Sequence, residues 1–275
     1  MVRNALRAHR RRRGGAQKQA APLRFGGDLG DVKGFTITAL LEACSSDAQG
    51  LRDAALLSVG YDAGLRVSEL TAAAIDHMEP QADGSGLLFL PRSKTDQEGG
   101  GNWAWLSPET VRRVQAWLQL SGIENGPLFR RVGVDRRRAR AAIPPQPYHL
   151  IPGNTRNWQE RLNGVPEIQA QITYTIGEAP LTRQGVCGIY RRIARSAVEA
   201  GLVEISDVML DDAIAALSTH SLRVGLTQDL FAAGEDGAGI ALTLRWSSPS
   251  TALRYGRKLA AHGNAASRLL GGVRR

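Results

Sequence analysis

Apolar positions along this chain repeat with two periods, and the switches between them mark its elements. From Phe35 the spacing is helical, and Thr36 or Thr38 supplies a cap for a first segment through Leu40, Leu41 and Cys44. A second helix, from about Gln49, sets Leu51, Ala55, Leu56 and Val59 on one face, with Gly64 as its stop. The period then falls to two in Gly86–Leu90 and Asn102–Leu106, which predicts two strands of a small antiparallel sheet. Ser107-Pro108-Glu109 brings a cap, a first-turn proline and an acid near the positive end of a helix dipole. Val111, Val114 and Leu118 give that helix its buried stripe, Gly122 ends it, and Leu128-Phe129 is expected to tuck into the core.

The second half is less regular. Residues 141–180 are rich in proline, yet Ile168, Ala170, Ile172, Tyr174 and Ile176 alternate with polar residues, which predicts an extra strand in an inserted hairpin. Helical spacing returns in Leu181–Gly201, with Val186, Ile189, Ile193 and Val198 turned inward, and again over about Val208–Leu217. A polar, glycine-rich turn then leads to Trp246, after which Ser248 and Pro249 open a helix that carries Tyr255. The elements together predict a mainly α fold with a small antiparallel β-sheet, α+β in class.

Length and composition narrow the picture. A chain of 275 residues can bury a sizeable core. Its two cysteines, Cys44 and Cys187, are far apart and lack metal-ligand spacing, which argues against a zinc site or a disulfide framework and fits a reducing cytoplasm. No apolar run approaches the ~20 residues needed to span a bilayer. Net charge is +9, and residues 1–27 alone hold eight basic side chains and no acid. Arg130 to Arg140 holds six arginines against Asp135, Arg254 to Arg275 six basic residues and no acid, and Glu199 to Asp212 five acids and no base. Segregation of this kind favours a polyanionic partner over an evenly solvated surface.

The chemistry concentrates between Thr219 and Arg257. His220 and Arg223 lie three apart, where helical spacing points both at one ligand, and an imidazole beside a guanidinium suits a phosphate. Trp246 adds an indole donor, and the Tyr255 phenol is a candidate nucleophile for the phosphate the others hold. An HxxR motif, then Trp, then Tyr nine residues on resembles the tyrosine recombinase (phage integrase) family, within it the branch with Trp in place of His. GLRVSEL, residues 64–70, is similar to the family's first arginine motif. The resemblance implies that Arg66 is a second guanidinium on the phosphate, that Glu69 buttresses it, and that Lys94, in the turn between the two strands, protonates the leaving oxygen.

Residues 1–34 are read as a basic linker left by a DNA-clamping domain for which the chain has no room. Residues 35–275 are read as the catalytic domain, with a hairpin inserted within 141–180. The implied reaction cuts and rejoins DNA through a 3′-phosphotyrosine on Tyr255, with no metal, ATP or other cofactor. The expected partners are double-stranded DNA and further copies of the chain, a tetramer on two DNA sites, in the DNA-associated cytoplasm and away from membranes. Arg130, Arg131, Arg136, Arg137, Arg138, Arg183, Arg191 and Arg254 are the candidates to meet the DNA. Two other readings stay open: DNA relaxation of the type IB topoisomerase kind, and a DNA-binding regulator without catalysis.

Overall fold

Local caps start most of the helices. In the computed structural model, which describes residues 20–25, 34–91, 100–262 and 269–270, Thr36 accepts the Ala39 N–H to begin α1 (Ile37–Glu42). Asp47 accepts two N–H groups to begin α2 (Ala48–Asp62). α3 (Val67–Ala72) follows directly. A 3₁₀ turn leads into the sheet β1 (Met78–Pro80), β2 (Gly86–Leu90) and β3 (Asn102–Leu106), antiparallel in that order with Leu88 opposite Ala104. α4 (Pro108–Ser121) starts on Ser107 and stops at left-handed Gly122.

After the second unit described below come α6 (Arg183–Glu199), α7 (Asp207–Ala216), α8 (Ser221–Ala232), α9 (Gly237–Thr243) and α10 (Pro249–His262). The class is mixed, mainly helical with small antiparallel sheets. No helix among the described residues is long and apolar enough to cross a membrane.

The centre of the main unit (residues 1–129 and 180–275) is α2. Eleven of its fifteen residues are buried, as expected of a helix surrounded on all sides, and it packs on α4, α8 and α3. On α4 the deepest side chain is Trp117, whose indole donates to the Leu128 carbonyl at 2.9 Å, while Leu118 is only half-buried. The same one-residue shift occurs on α6, where Ala197 is buried and Val198 only partly. Leu128 and Phe129 are in the core as their sequence suggests. On the sheet, Ala104 and Leu106 face inward, leaving Trp103 and Trp105 exposed, with Phe89 against Trp103 at 4.9 Å.

Two sequence expectations need correction. The glycine-rich stretch before Trp246 is not a turn: Asp236 caps it by accepting from Ala238 and Gly239, and the buried Ile240 and Ala241 hold α9 against its glycines. The alternating run at 168–176 becomes a strand only from Gln171, and its apolar residues do not form a core face, since Ile172 is exposed.

Residues 130–179 form a second compact unit. β4 (Arg130–Arg137) and β5 (Gln171–Pro180) make a two-stranded sheet, which antiparallel bridges at Arg140–Ile168 and Ile143–Val165 prolong. Between them lies the short helix α5 (Trp158–Asn163), with Trp158 edge-on to Tyr148.

Candidate active site

The link between α2 and α3 supplies the frame. Gly64 adopts φ +52°, where a side chain is disfavoured, and a Cβ there would overlap the Leu244 side chain, so conformation and space both favour glycine. The chain then reaches Arg66, which caps α3. Its N–H donates to Glu69 Oε2 at 2.9 Å and its guanidinium to Oε1 at 2.6 Å. Glu69 is almost fully buried, so its charge is offset by guanidinium groups rather than by water.

α8 brings in the HxxR pair. His220 precedes the helix as its N-cap rather than lying within it, and its carbonyl accepts the first helical hydrogen bond, from Val224 at 2.9 Å. The imidazole is exposed at the helix start, one turn from Arg223. Partial desolvation, then the nearby Arg223, Arg183 and Arg66 charges, hold its pKa below the ordinary value, which favours neutral imidazole at pH 7.

Arg223 is 4% exposed. Its guanidinium donates to the carbonyls of Gly64 and Leu244 and stands 3.9 Å from Glu69 Oε2. Burial and then Arg66 push its pKa down to about 9, partly countered by Glu69, so it remains charged at neutral pH.

Trp246 and Tyr255 complete the cluster. The Arg223 guanidinium carbon lies 5.0 Å from the centre of the Trp246 ring, a cation–π distance. Tyr255 stacks on the same indole with ring centres 5.5 Å apart and planes 13° from parallel. The Tyr255 carbonyl accepts from Gln228 of α8 at 3.2 Å, fixing its turn against the helix that carries Arg223. Helical geometry breaks at the next residue, Gly256 (φ −119°, ψ 21°), where a Cβ would overlap the Phe231 ring. A larger residue there would push the tyrosine turn away from α8.

Five of the seven residues expected to act together therefore converge directly, Arg66, Glu69, Arg223, Trp246 and Tyr255, with His220 at their edge. Lys94 lies outside the described residues. Of the arginines expected to meet a polyanion, Arg183, Arg191 and Arg254 are exposed on the main unit, and Arg183 is close enough to act on the His220 charge. Arg130 is half-buried and Arg131, Arg136, Arg137 and Arg138 are exposed, all on the second unit. No group of three metal-ligating side chains occurs among the described residues.

One site residue escaped the sequence reading. Arg245 precedes Trp246, and its side chain is 6% exposed. The guanidinium donates to the Ala63 carbonyl at 2.8 Å and approaches Glu69 Oε2 at 3.7 Å. Desolvation comes first in holding its pKa down, with Arg66 adding to it and Glu69 opposing. Its one visible signal is adjacency to Trp246, which any surface arginine could share.

No family model matches the chain. An integrase/recombinase xerD homolog of Selenomonas ruminantium is 30% identical over 137 residues, which cover 47% of this chain and 37% of that protein. The recombinase cre of Escherichia phage P1 is 25% identical over 229 residues, 82% of this chain and 55% of that one. The chain thus spans about half or less of the length of these relatives. Among solved structures, the XerH site-specific recombinase in a post-cleavage complex with palindromic difH substrate aligns with a TM-score of 0.52 at 14% identity, covering 91% of this chain and 54% of that one. XerA recombinase aligns at 0.51 and 16% identity, over 95% and 66%. The chain is thus similar in sequence to an integrase/recombinase xerD homolog and to the recombinase cre, and it shares the fold of the XerH and XerA recombinases.

Proposed function

We propose that this domain breaks and rejoins DNA strands with Tyr255 as nucleophile. The observation that carries the reading is the run of contacts from Tyr255 through Trp246 and Arg223 to the Arg66–Glu69 pair, which gathers a phenol, an indole and two guanidinium groups in one cluster. A phosphodiester resists attack because nucleophile and phosphate are both electron-rich, so the site must neutralise charge on the non-bridging oxygens. Arg66 and Arg223 do so as planar donor forks, and Trp246 adds an N–H.

Tyr255 Oη attacks phosphorus, and the bond from phosphorus to the 5′ oxygen breaks. The phenolic proton passes to neutral His220, and Lys94 protonates the departing 5′ oxygen. The product is a 3′-phosphotyrosine that keeps the energy of the broken link, so rejoining by the reverse attack needs no nucleotide.

The substrate is double-stranded DNA, a reading supported by the similar XerH recombinase, which was solved bound to its difH substrate. Because each active site makes one covalent link, exchange between two duplexes calls for several copies of the chain, a tetramer on two sites. The exposed arginines named above hold the DNA backbone.

The test uses a nicked duplex from which the short 5′-hydroxyl product diffuses away, leaving adduct that a denaturing gel resolves. Wild type is expected to form adduct and Tyr255→Phe none, while DNA affinity changes little because the ring is kept. Adduct from the Phe variant would show that another group is the nucleophile. Since guanidinium groups supply the charge, adduct should form equally in excess EDTA. Loss in EDTA with recovery on Mg²⁺ would refute the mechanism.

A further inference from the structure

Among the described residues, Arg245 is the one non-glycine with left-handed backbone, at φ +54°. Cβ-bearing residues are disfavoured there, and a residue kept in that conformation by its surroundings commonly serves a site. Its side chain turns inward to Glu69, and the pattern on the Glu69 carboxylate shows why that matters. Oε1 receives one nitrogen of Arg66 at 2.6 Å. Oε2 receives the Arg66 N–H at 2.9 Å and is faced by Arg245 at 3.7 Å and Arg223 at 3.9 Å. With Oε2 occupied in this way, the Arg66 guanidinium does not close on both carboxylate oxygens.

Charge points the same way. Arg66, Arg223 and Arg245 against Glu69 leave a net +2, and without Arg245 the sum is +1. Attack on a phosphodiester takes the phosphoryl group from one negative charge to two.

Resting on the recombinase reading above, we propose that Arg245 is a positioning residue of the phosphate site. It shares the Glu69 carboxylate with Arg66 and so leaves the Arg66 fork to the phosphate. Arg245 does not touch the reacting atoms; it acts through Glu69.

The experiment measures the single-turnover rate of adduct formation on the nicked duplex at saturating DNA, together with DNA affinity and the thermal midpoint. Arg245→Gly removes the charge and suits the left-handed backbone. It should melt at or above the wild-type temperature, bind DNA about as well, and react roughly tenfold more slowly, less than the ~10²–10³ lost with a direct transition-state donor. Arg245→Lys should recover most of the rate. In a Glu69→Gln background, Arg245→Gly should cost less than about twofold, because two residues acting through one contact do not add.

A wild-type rate for Arg245→Gly, or an equal cost in both backgrounds, would overturn the proposal. If the Gly variant lost its cooperative melt, Arg245→Met, which keeps the side-chain length, would carry the same comparison. Absence of adduct with the wild type would instead sink the recombinase reading itself, so the two failures are distinguishable.

Discussion

The arginines of this chain fall into two environments that share a charge and little else. Around Glu69 the guanidinium groups are buried, with side-chain exposures of 5% for Arg223, 6% for Arg245 and 17% for Arg66. Each is held by carbonyls or by the carboxylate. On residues 130–179, Arg131, Arg136, Arg137 and Arg138 stand in solvent. Burying a charge costs several kcal/mol unless it is paired, so the first group exists only because the fold supplies partners. The return is direction: a fixed, partly desolvated donor acts on a phosphate far more strongly than one that must first be ordered. Exposed arginines give up that strength and supply attraction that falls with salt.

The largest effect should come from disturbing a buried fork while keeping its charge. Arg223→Lys leaves a cation, yet an ammonium cannot reach the Gly64 and Leu244 carbonyls as a planar pair while covering the Trp246 face. Adduct should still form, at a rate lower by ~10²–10³. A time course within threefold of wild type would mean that charge alone, without geometry, suffices at the buried site, and the contrast between the two environments would collapse.

A smaller effect belongs to His220, which lies between the environments, exposed but beside three arginines. Its pKa is depressed, so the base form persists to lower pH than in a free imidazole. With DNA below saturation, where the profile reports the unbound protein, adduct formation should rise about tenfold per pH unit up to a midpoint below ~6.5 and then level. The sign for stability is the same. A folded-state pKa below the unfolded one means the unfolded chain binds the proton more readily, so stability falls as pH drops from the unfolded value toward the folded one. His220→Gln should remove the acidic limb of the rate profile. A midpoint above 6.5 would show that neither desolvation nor the neighbouring arginines govern this imidazole.

What could be read beforehand follows the same division between local and distant causes. The strands Gly86–Leu90 and Asn102–Leu106 appear where the alternation put them, and Ser107, Pro108 and Gly122 bound α4, because caps and periodicity act within a few residues. β1 was not legible: three residues hold no alternation, and only pairing with β2 makes Met78–Pro80 a strand. α9 was hidden by its glycines until Asp236 and burial outweighed their propensity. In the site, His220, Arg223, Trp246 and Tyr255 stood out by their order and spacing, while Arg66 and Glu69 were legible only through the resemblance of GLRVSEL to a known motif. Arg245 was missed because its role rests on contacts with Ala63 and Glu69, more than 170 positions away. The turn that presents Gly64 and Arg66 thus does more than its motif suggests, since Ala63 and Gly64 also offer the carbonyls that hold Arg245 and Arg223.

The smallest effect tests the exposed group. If Arg136, Arg137 and Arg138 each neutralise one phosphate, replacing any one by Ala should flatten the slope of log K against log salt by ~0.9, so the affinity lost between 50 and 200 mM salt shrinks roughly threefold. The rate at saturating DNA should not change, because none of them belongs to the Glu69 cluster. Arg140 on the same unit is the internal control. It is paired with Glu160 at 2.5 Å, so its charge is already partly offset and Arg140→Ala should flatten the slope less. Equal slopes for all three single variants and wild type would take residues 130–179 off the DNA and leave binding to the main unit. A fall in the saturated rate for Arg137→Ala would break the comparison from the other side, since an exposed arginine would then be acting as the buried ones do.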